Sequence, residues 1–332
     1  MRVLILAPFS TTSLTRLGQR VQVIVESWLD TNRLQDPEQL GARLALEQFD
    51  VVIVEADFIF AEVFEAAPRL RLVGVCRNAL HQVDLPAASA RGVPVVHAPG
   101  RNTAAVAEMT LALMLALARR IPQASAMVLG GGWRDPAQGY RMFRGREIAG
   151  ATVGVVGFGQ IGRAVARRCV ALGARVLVHD PFVPPRQVAA LGGAVATLER
   201  LAARSDFVTL HLPDIDATRH LVDTAFLARL RRGAYLINTG GGGCVDPDAL
   251  AEALAERRIA GAALDVFEGQ PLPASSPLCS APNVILTPHI GGATAETVER
   301  HSRMMTAEVE RLLDGRPLRH VANPEYRNVR AG

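Results

Sequence analysis

Short apolar runs alternate with helix-compatible stretches along almost the whole chain, and this alternation limits the fold more than any other feature. Val3–Ala7, Val21–Val25, Val51–Val54, Leu72–Val75 and Val95–His97 read as buried strands, with helices predicted over Asp36–Glu47, Phe60–Ala66 and Leu85–Arg91. A second series reads as strands over Thr152–Val156, Arg175–His179, Phe207–Leu210, Ala234–Ile237, Gly261–Leu264 and Val284–Leu286. Its helices are predicted over Ile161–Leu172, Leu198–Ala203, Thr224–Arg229 and Pro247–Ala255. Apolar strands separated by helices imply parallel sheets covered on both faces. A long helix is expected from Asn102 or Thr103, either of which can cap it, with Pro122 as its stop. The segment 130–145 reads as a loop, and a last long helix is expected over Ala293–Leu313.

Composition removes several functions. All 36 basic side chains are arginine, which excludes a Schiff-base lysine, a lysine general base and a Walker-type phosphate-binding lysine. The net charge is only +4, the arginines are dispersed and aromatics are 5%, so no nucleic-acid partner is expected. The four cysteines, Cys76, Cys169, Cys244 and Cys279, include no close pair. That spacing suits neither a disulfide framework nor a zinc site, so no metal and a reducing compartment are expected. The N-terminal apolar run is short and lacks a small-residue cleavage site, and the most apolar stretch, Ala104–Ala118, contains Glu108 and is too short to span a bilayer. A cytoplasmic protein without a membrane partner is the expectation.

Gly157-Phe158-Gly159-Gln160-Ile161-Gly162 follows one apolar strand and opens a helix. In that setting Gly157 permits the tight turn, Gly159 lets the backbone approach a pyrophosphate, and Gly162 lets the helix pack on the strand. Helix amides and dipole can then hold phosphates without a lysine. Asp180 ends the next strand, about 20 residues on, where a carboxylate bonds adenosine ribose hydroxyls and repels a 2′-phosphate. The cofactor expected is NAD.

Further motifs follow in order: His211-Leu212-Pro213, Ile237-Asn238-Thr239, Ala263-Leu264-Asp265-Val266-Phe267 and Thr287-Pro288-His289-Ile290-Gly291-Gly292. With the glycine loop they resemble the D-isomer-specific 2-hydroxyacid dehydrogenases, over essentially the whole chain. The resemblance implies a Rossmann NAD domain, residues 100–288, inserted into a flavodoxin-like substrate domain, residues 1–99 plus 289–332. It implies a cleft between the two, a homodimer built through the NAD domains, and a small-molecule substrate. NAD would be held by Gly157, Gly159, Gln160, Ile161, Gly162 and Asp180, with Leu212, Pro213, Thr239, Gly240, Gly241, Asp265, His289 and Gly291 on its nicotinamide side.

The family's reaction uses an arginine to grip the substrate carboxylate, a histidine to exchange the hydroxyl proton, and a glutamate to bond that histidine. His289 matches the histidine. The arginine position is Gly241, within Ile237-Asn238-Thr239-Gly240-Gly241-Gly242-Gly243, and the glutamate position is Gln270, within Asp265-Val266-Phe267-Glu268-Gly269-Gln270-Pro271. Glutamine can orient His289 but supplies no negative charge, and formate-oxidising relatives use glutamine there. Glycine offers no positive clamp, and three explanations stand. Arg77, beside Asn78 and Ala79 in the expected substrate loop, takes over. Or the substrate lacks the usual carboxylate and the glycine run leaves room for a larger group. Or the chain is a catalytically weak, NAD(H)-binding regulatory protein. An active NAD-dependent oxidoreductase is the leading expectation, and each arginine's plain alternative is a surface charge.

Overall fold

The computed structural model describes residues 1–330 of the 332 and divides the chain into two compact units, 1–101 with 294–332, and 102–293. The divisions fall a few residues from those read in the sequence, and His289 lies in the second unit.

The first unit carries a parallel sheet of β1 (Arg2–Ile5), β2 (Gln22–Val25), β3 (Val51–Val54), β4 (Leu72–Val75) and β5 (Val95–His97), in the order β2-β1-β3-β4-β5. Side chains alternate between its two faces, as a period of two requires. Leu4, Val52, Val54, Val73 and Val75 enter one core, and Val3, Ile5, Val51, Ile53 and Leu72 enter the other. Helix Ala295–Leu313 covers the second face through Met305 and Val309. The C-terminal segment then adds an antiparallel bridge, Val96 to Val321, at the free edge of β5.

The second unit holds β6 (Thr152–Val156), β7 (Arg175–His179), β8 (Ala194–Val195), β9 (Phe207–Leu210), β10 (Tyr235–Asn238), β11 (Gly261–Leu264) and β12 (Val284–Leu286). All pairs are parallel, in the order β12-β11-β10-β9-β6-β7-β8. Val208, Leu210, Leu236 and Leu264 pack on one face, and Val153, Val155, Phe207 and Ile237 on the other. Fully burying each such side chain contributes about 1.5–3 kcal/mol. Both units are doubly wound α/β sheets.

The helix expected to stop at Pro122 ends earlier. It spans Thr103–Ala118, Arg120 turns left-handed at φ 52°, and Pro122 lies in the first turn of a new helix, Ile121–Leu129. Proline fits a first turn because its missing N–H has no intrahelical partner there. The segment read as loop also contains a short helix, Pro136–Met142, capped by Asp135. Helices Thr11–Gly18 and Pro185–Ala189 and the two-residue β8 are not among the elements read from the sequence.

Candidate active site and cofactor loop

Strand register in the second unit brings the motifs together. Val156 pairs with His179 and Leu210, Leu210 with Asn238, Asn238 with Leu264, and Leu264 with Leu286. The residues that follow, Gly157, His211, Thr239, Asp265 and Thr287, therefore begin their loops along one edge. Sheet order reverses between β6 and β9, and ligands of open α/β sheets bind at such a reversal, outside the carboxyl ends of the strands.

Gly157 has φ +89°, and a Cβ there would lie 2.6 Å from the His211 carbonyl oxygen. A Cβ at Gly162 would run into the Gly157 carbonyl, so the helix Gln160–Ala171 sits close on β6. Gly159, the N-cap of that 12-residue helix, has nothing within 4 Å of its Cβ position. An open face beside free helix amides and the positive dipole end is a cradle for a pyrophosphate, so the residues present fit NAD. Asp180 Oδ2 accepts from the Phe158 amide at 2.7 Å and Oδ1 from the Phe182 amide at 2.9 Å. Each oxygen keeps a lone pair for a ribose hydroxyl. Gln160 accepts through its side chain from Thr103 Oγ1 at 3.3 Å, and Ile161 is half-buried against the core.

His289 stands at φ +54° in the loop after β12. Such a conformation is uncommon outside glycine and persists where the surroundings fix it. Asp265, 2% exposed, fixes it: Oδ1 accepts from Thr287 Oγ1 at 2.6 Å and the Ile290 amide at 2.9 Å, and Oδ2 from the Gly291 amide at 2.7 Å. His289 Nδ1 lies 2.8 Å from Gln270 Oε1, while Gln270 Nε2 donates to the Phe267 carbonyl at 3.3 Å. A carbonyl only accepts, so the amide nitrogen must face Phe267 and the amide oxygen must face the imidazole. His289 Nδ1 therefore carries a proton, and in the neutral ring Nε2 carries the lone pair.

The glycine run is not open space. Gly241, Gly242 and Gly243 are buried. A Cβ at Gly241 would lie 2.8 Å from the Asp214 nitrogen and 2.9 Å from the Pro213 carbonyl carbon, and one at Gly240 2.9 Å from the Leu212 oxygen. The Gly241 amide donates to Leu212 O at 2.8 Å, the Gly243 amide to Asp214 Oδ2 at 3.0 Å, and the Gly240 amide to Asn238 Oδ1 at 3.0 Å. In the direction a side chain would take at Gly240 and Gly241, the backbone of 212–214 lies close. Thr239 is buried with its hydroxyl 2.8 Å from that of Thr110. Leu212 packs on the core and Pro213 is exposed.

Two residues that the sequence reading quotes only as parts of motifs, Asn238 and His211, have definite surroundings in the structure. Fully buried Asn238 shapes the glycine run from both ends of its amide, accepting from Gly240 and donating to the Gly241 carbonyl. A polar residue closing an apolar strand was the available signal. The His211 ring pairs with Thr209 Oγ1 through Nε2 at 3.1 Å, its Nδ1 is buried without a partner, and burial pushes its pKa down to about 3.

In the first unit, Arg77 follows β4 and is half-buried, with Asn78 and Ala79 exposed beside it. No side-chain partner reaches the Arg77 guanidinium among the described residues, and its Nε is buried.

A family model described as D-isomer specific 2-hydroxyacid dehydrogenase, NAD binding domain, matches residues 111–291, more than half of the chain. The chain belongs to the D-isomer-specific 2-hydroxyacid dehydrogenase family. D-3-phosphoglycerate dehydrogenase of Mycobacterium tuberculosis is 39% identical over 314 residues, which cover 94% of this chain and 57% of that protein. The chain thus spans little more than half the length of that relative. Glyoxylate reductase of Thermofilum pendens is 39% identical over 282 residues, 82% of this chain and 81% of its own. Among solved structures, the TT0316 protein of Thermus thermophilus matches with a TM-score of 0.86 at 36% identity, over 97% of this chain and 100% of that one. The NAD-dependent formate dehydrogenase of Staphylococcus aureus, in complex with NAD, matches with a TM-score of 0.76 at 29% identity, over 96% and 97%. The second unit carries the family's NAD-binding domain, and NAD is its cofactor. No helix among the described residues is long and apolar enough to cross a membrane.

Proposed function

We propose that the protein is an NAD-dependent oxidoreductase acting between a small 2-oxo acid and the corresponding 2-hydroxy acid. The observation that carries this reading is the 2.8 Å contact between Gln270 and His289, on an Asp265-pinned loop at the sheet edge that also carries the glycine loop. NAD(H), when bound, supplies or accepts the hydride. Gly157, Gly159, Gly162 and the amides of Gln160 and Ile161 hold its phosphates, and Asp180 its ribose. His289 is the catalytic residue: Nε2 takes the hydroxyl proton during oxidation and returns it to the carbonyl oxygen during reduction. Gln270 is a positioning residue that holds the ring in one tautomer. Leu212, Pro213, Thr239, Gly240, Gly241, Asp265 and Gly291 shape the nicotinamide side, largely through the hydrogen bonds that order their loops. Arg77, Asn78 and Ala79 bind the substrate.

The test follows NADH absorbance while the protein is mixed with a panel of 2-oxo acids. Turnover on at least one member, abolished in His289→Ala with NADH affinity kept, supports the reading. Full activity in His289→Ala sinks the mechanism. A second reading, a weakly turning-over NAD(H)-binding regulatory protein, is favoured by one observation, the buried, side-chain-free position 241. NADH binding with no turnover on any carbonyl would select it.

A homodimer is part of the proposal. Exposed apolar side chains crowd one stretch, Ile121, Val128, Leu129, Trp133, Tyr140 and Met142, with Leu129 85% and Tyr140 71% exposed, and such a concentration marks an interaction surface. A monomer by sedimentation at micromolar concentration would remove it. Free thiols at all four cysteines fit a cytoplasmic location.

A further inference from the structure

In the second unit, β10 lies between β9 and β11, so the glycine run after β10 separates the loops that follow the other two strands. The run is thin enough for both loops to close on it. Gly240 and Gly241 face the 212–214 backbone, and a Cβ at Gly242 would run into the Phe267 carbonyl. Further along, the His220 amide donates to Gly243 O at 2.8 Å and the Val222 amide to Cys244 O at 2.9 Å. The two outer loops then meet across the run. Glu268 Oε1 pairs with Arg219 NH2, and Glu268 Oε2 accepts from His220 Nε2 at 3.0 Å. A carboxylate only accepts, so His220 Nε2 carries a proton whatever the charge on its ring.

His220 stands at φ +48°. That backbone conformation is strained for a residue with a side chain and persists where the surroundings fix it. Here the Gly243 carbonyl holds the His220 amide and Glu268 holds its ring. Glu268 in turn sits between two residues that order the imidazole of His289. Phe267, on one side of it, offers the carbonyl to which Gln270 Nε2 donates, and Gln270, two residues on, meets His289 Nδ1. An exposed ion pair adds little to global stability. The consequence of this one is local: it ties down the chain from Phe267 to Gln270.

Resting on the oxidoreductase reading above, we propose that Glu268 is a positioning residue for the reaction. Held by Arg219 and His220, it fixes the course of the 267–270 segment, and with it the place of the Gln270 amide between Phe267 O and His289 Nδ1. Positions 241 and 270 are uncharged in this chain. The charged groups that steady the proton-exchanging ring stand one step further out, on residues 219 and 268.

The experiment uses the whole chain with isotope-labelled histidine and reads the His289 tautomer from the NMR shift of its ring Cδ2, assigned by the loss of that signal in His289→Ala. Thermal melting reports that each variant is folded. The unsubstituted protein is expected to show the Nδ1–H form, and Glu268→Ala a mixture with the Nε2–H form. Arg219→Gln should move the signal in the same direction by less, since His220 remains. On a 2-oxo acid that turns over, kcat should fall about tenfold in Glu268→Ala, the scale on which a small misplacement acts, with NADH affinity unchanged. In a Gln270→Ala background, Glu268→Ala should add nothing, because residues that act through one another are not additive. An unmoved His289 signal in Glu268→Ala, an Nε2–H ring in the unsubstituted protein, or a full additional loss in the Gln270→Ala background would overturn the proposal. If no 2-oxo acid turns over, the oxidoreductase reading fails, and the ring signal alone decides the role of Glu268.

Discussion

Gln270 Oε1 meets His289 Nδ1 at 2.8 Å, and the Phe267 carbonyl on the other side of the glutamine amide decides which way that amide faces. The group that meets the imidazole is therefore a neutral amide, which brings no negative charge of its own to Nδ1. Replacing it tests the consequence. Gln270→Glu should move the limb of the pH–rate profile that depends on protonated His289 upward by about one pH unit, because a nearby carboxylate favours the charged ring. A profile that does not move would mean that His289 does not titrate in the step observed.

His289→Ala is expected to lower turnover by about 10²–10⁴-fold, the usual contribution of a positioned proton donor. NADH affinity should change little, since the glycine loop is a separate part of the site. Steady-state rates and NADH fluorescence titration check the two halves of this expectation.

Asp265 orders the loop that carries His289. Its carboxylate collects one hydroxyl and two amides of the 287–291 loop while almost wholly buried. Asp265→Ala leaves those donors without their acceptor, at a cost of about 1–3 kcal/mol for each one left buried and unsatisfied. Denaturant unfolding should show the loss, and kcat should fall with it. A stable variant with wild-type kcat would remove Asp265 from this role.

Restoring the family arginine by Gly241→Arg is expected to fail. The new Cβ would press on backbone atoms of Pro213 and Asp214, which cannot rotate away as a side-chain tip can. Overpacking of this kind costs about 1–3 kcal/mol, so Tm should fall and no new 2-hydroxyacid activity should appear. Even Gly241→Ala should lower Tm. Gain of activity without loss of stability would show that the 212–214 segment yields easily.

His211 sets an acid limit on stability. Its folded pKa, about 3, lies below the ordinary 6.5. The unfolded chain therefore binds an additional proton between those values. This contribution to stability is complete above pH 6.5 and is lost progressively as pH falls toward 3. His211→Gln, which keeps a polar group at the site, should flatten that limb in urea midpoints measured from pH 7 to pH 4. An unchanged limb would assign acid sensitivity to other groups.

The sequence alone determined the two parallel α/β sheets, because near-continuous apolar strands are stable only when both faces are covered. It placed Phe207–Leu210, Gly261–Leu264 and Val284–Leu286 at their observed limits, where apolar runs are bounded by turn-forming or charged residues. It also identified the glycine loop and the His289 and Gln270 positions, whose chemistry lies in local motifs. Tertiary structure alone decided the rest. Nothing local to Gly240 and Gly241 says that the 212–214 backbone lies against them, since that contact joins loops from different strands through sheet register. Nothing local to Arg77 says that its Nε is buried without a hydrogen-bond partner, or that Arg101 pairs with Glu55 and His301. Those charges come from segments far apart in sequence, and burial at one sheet edge is what makes their balance matter.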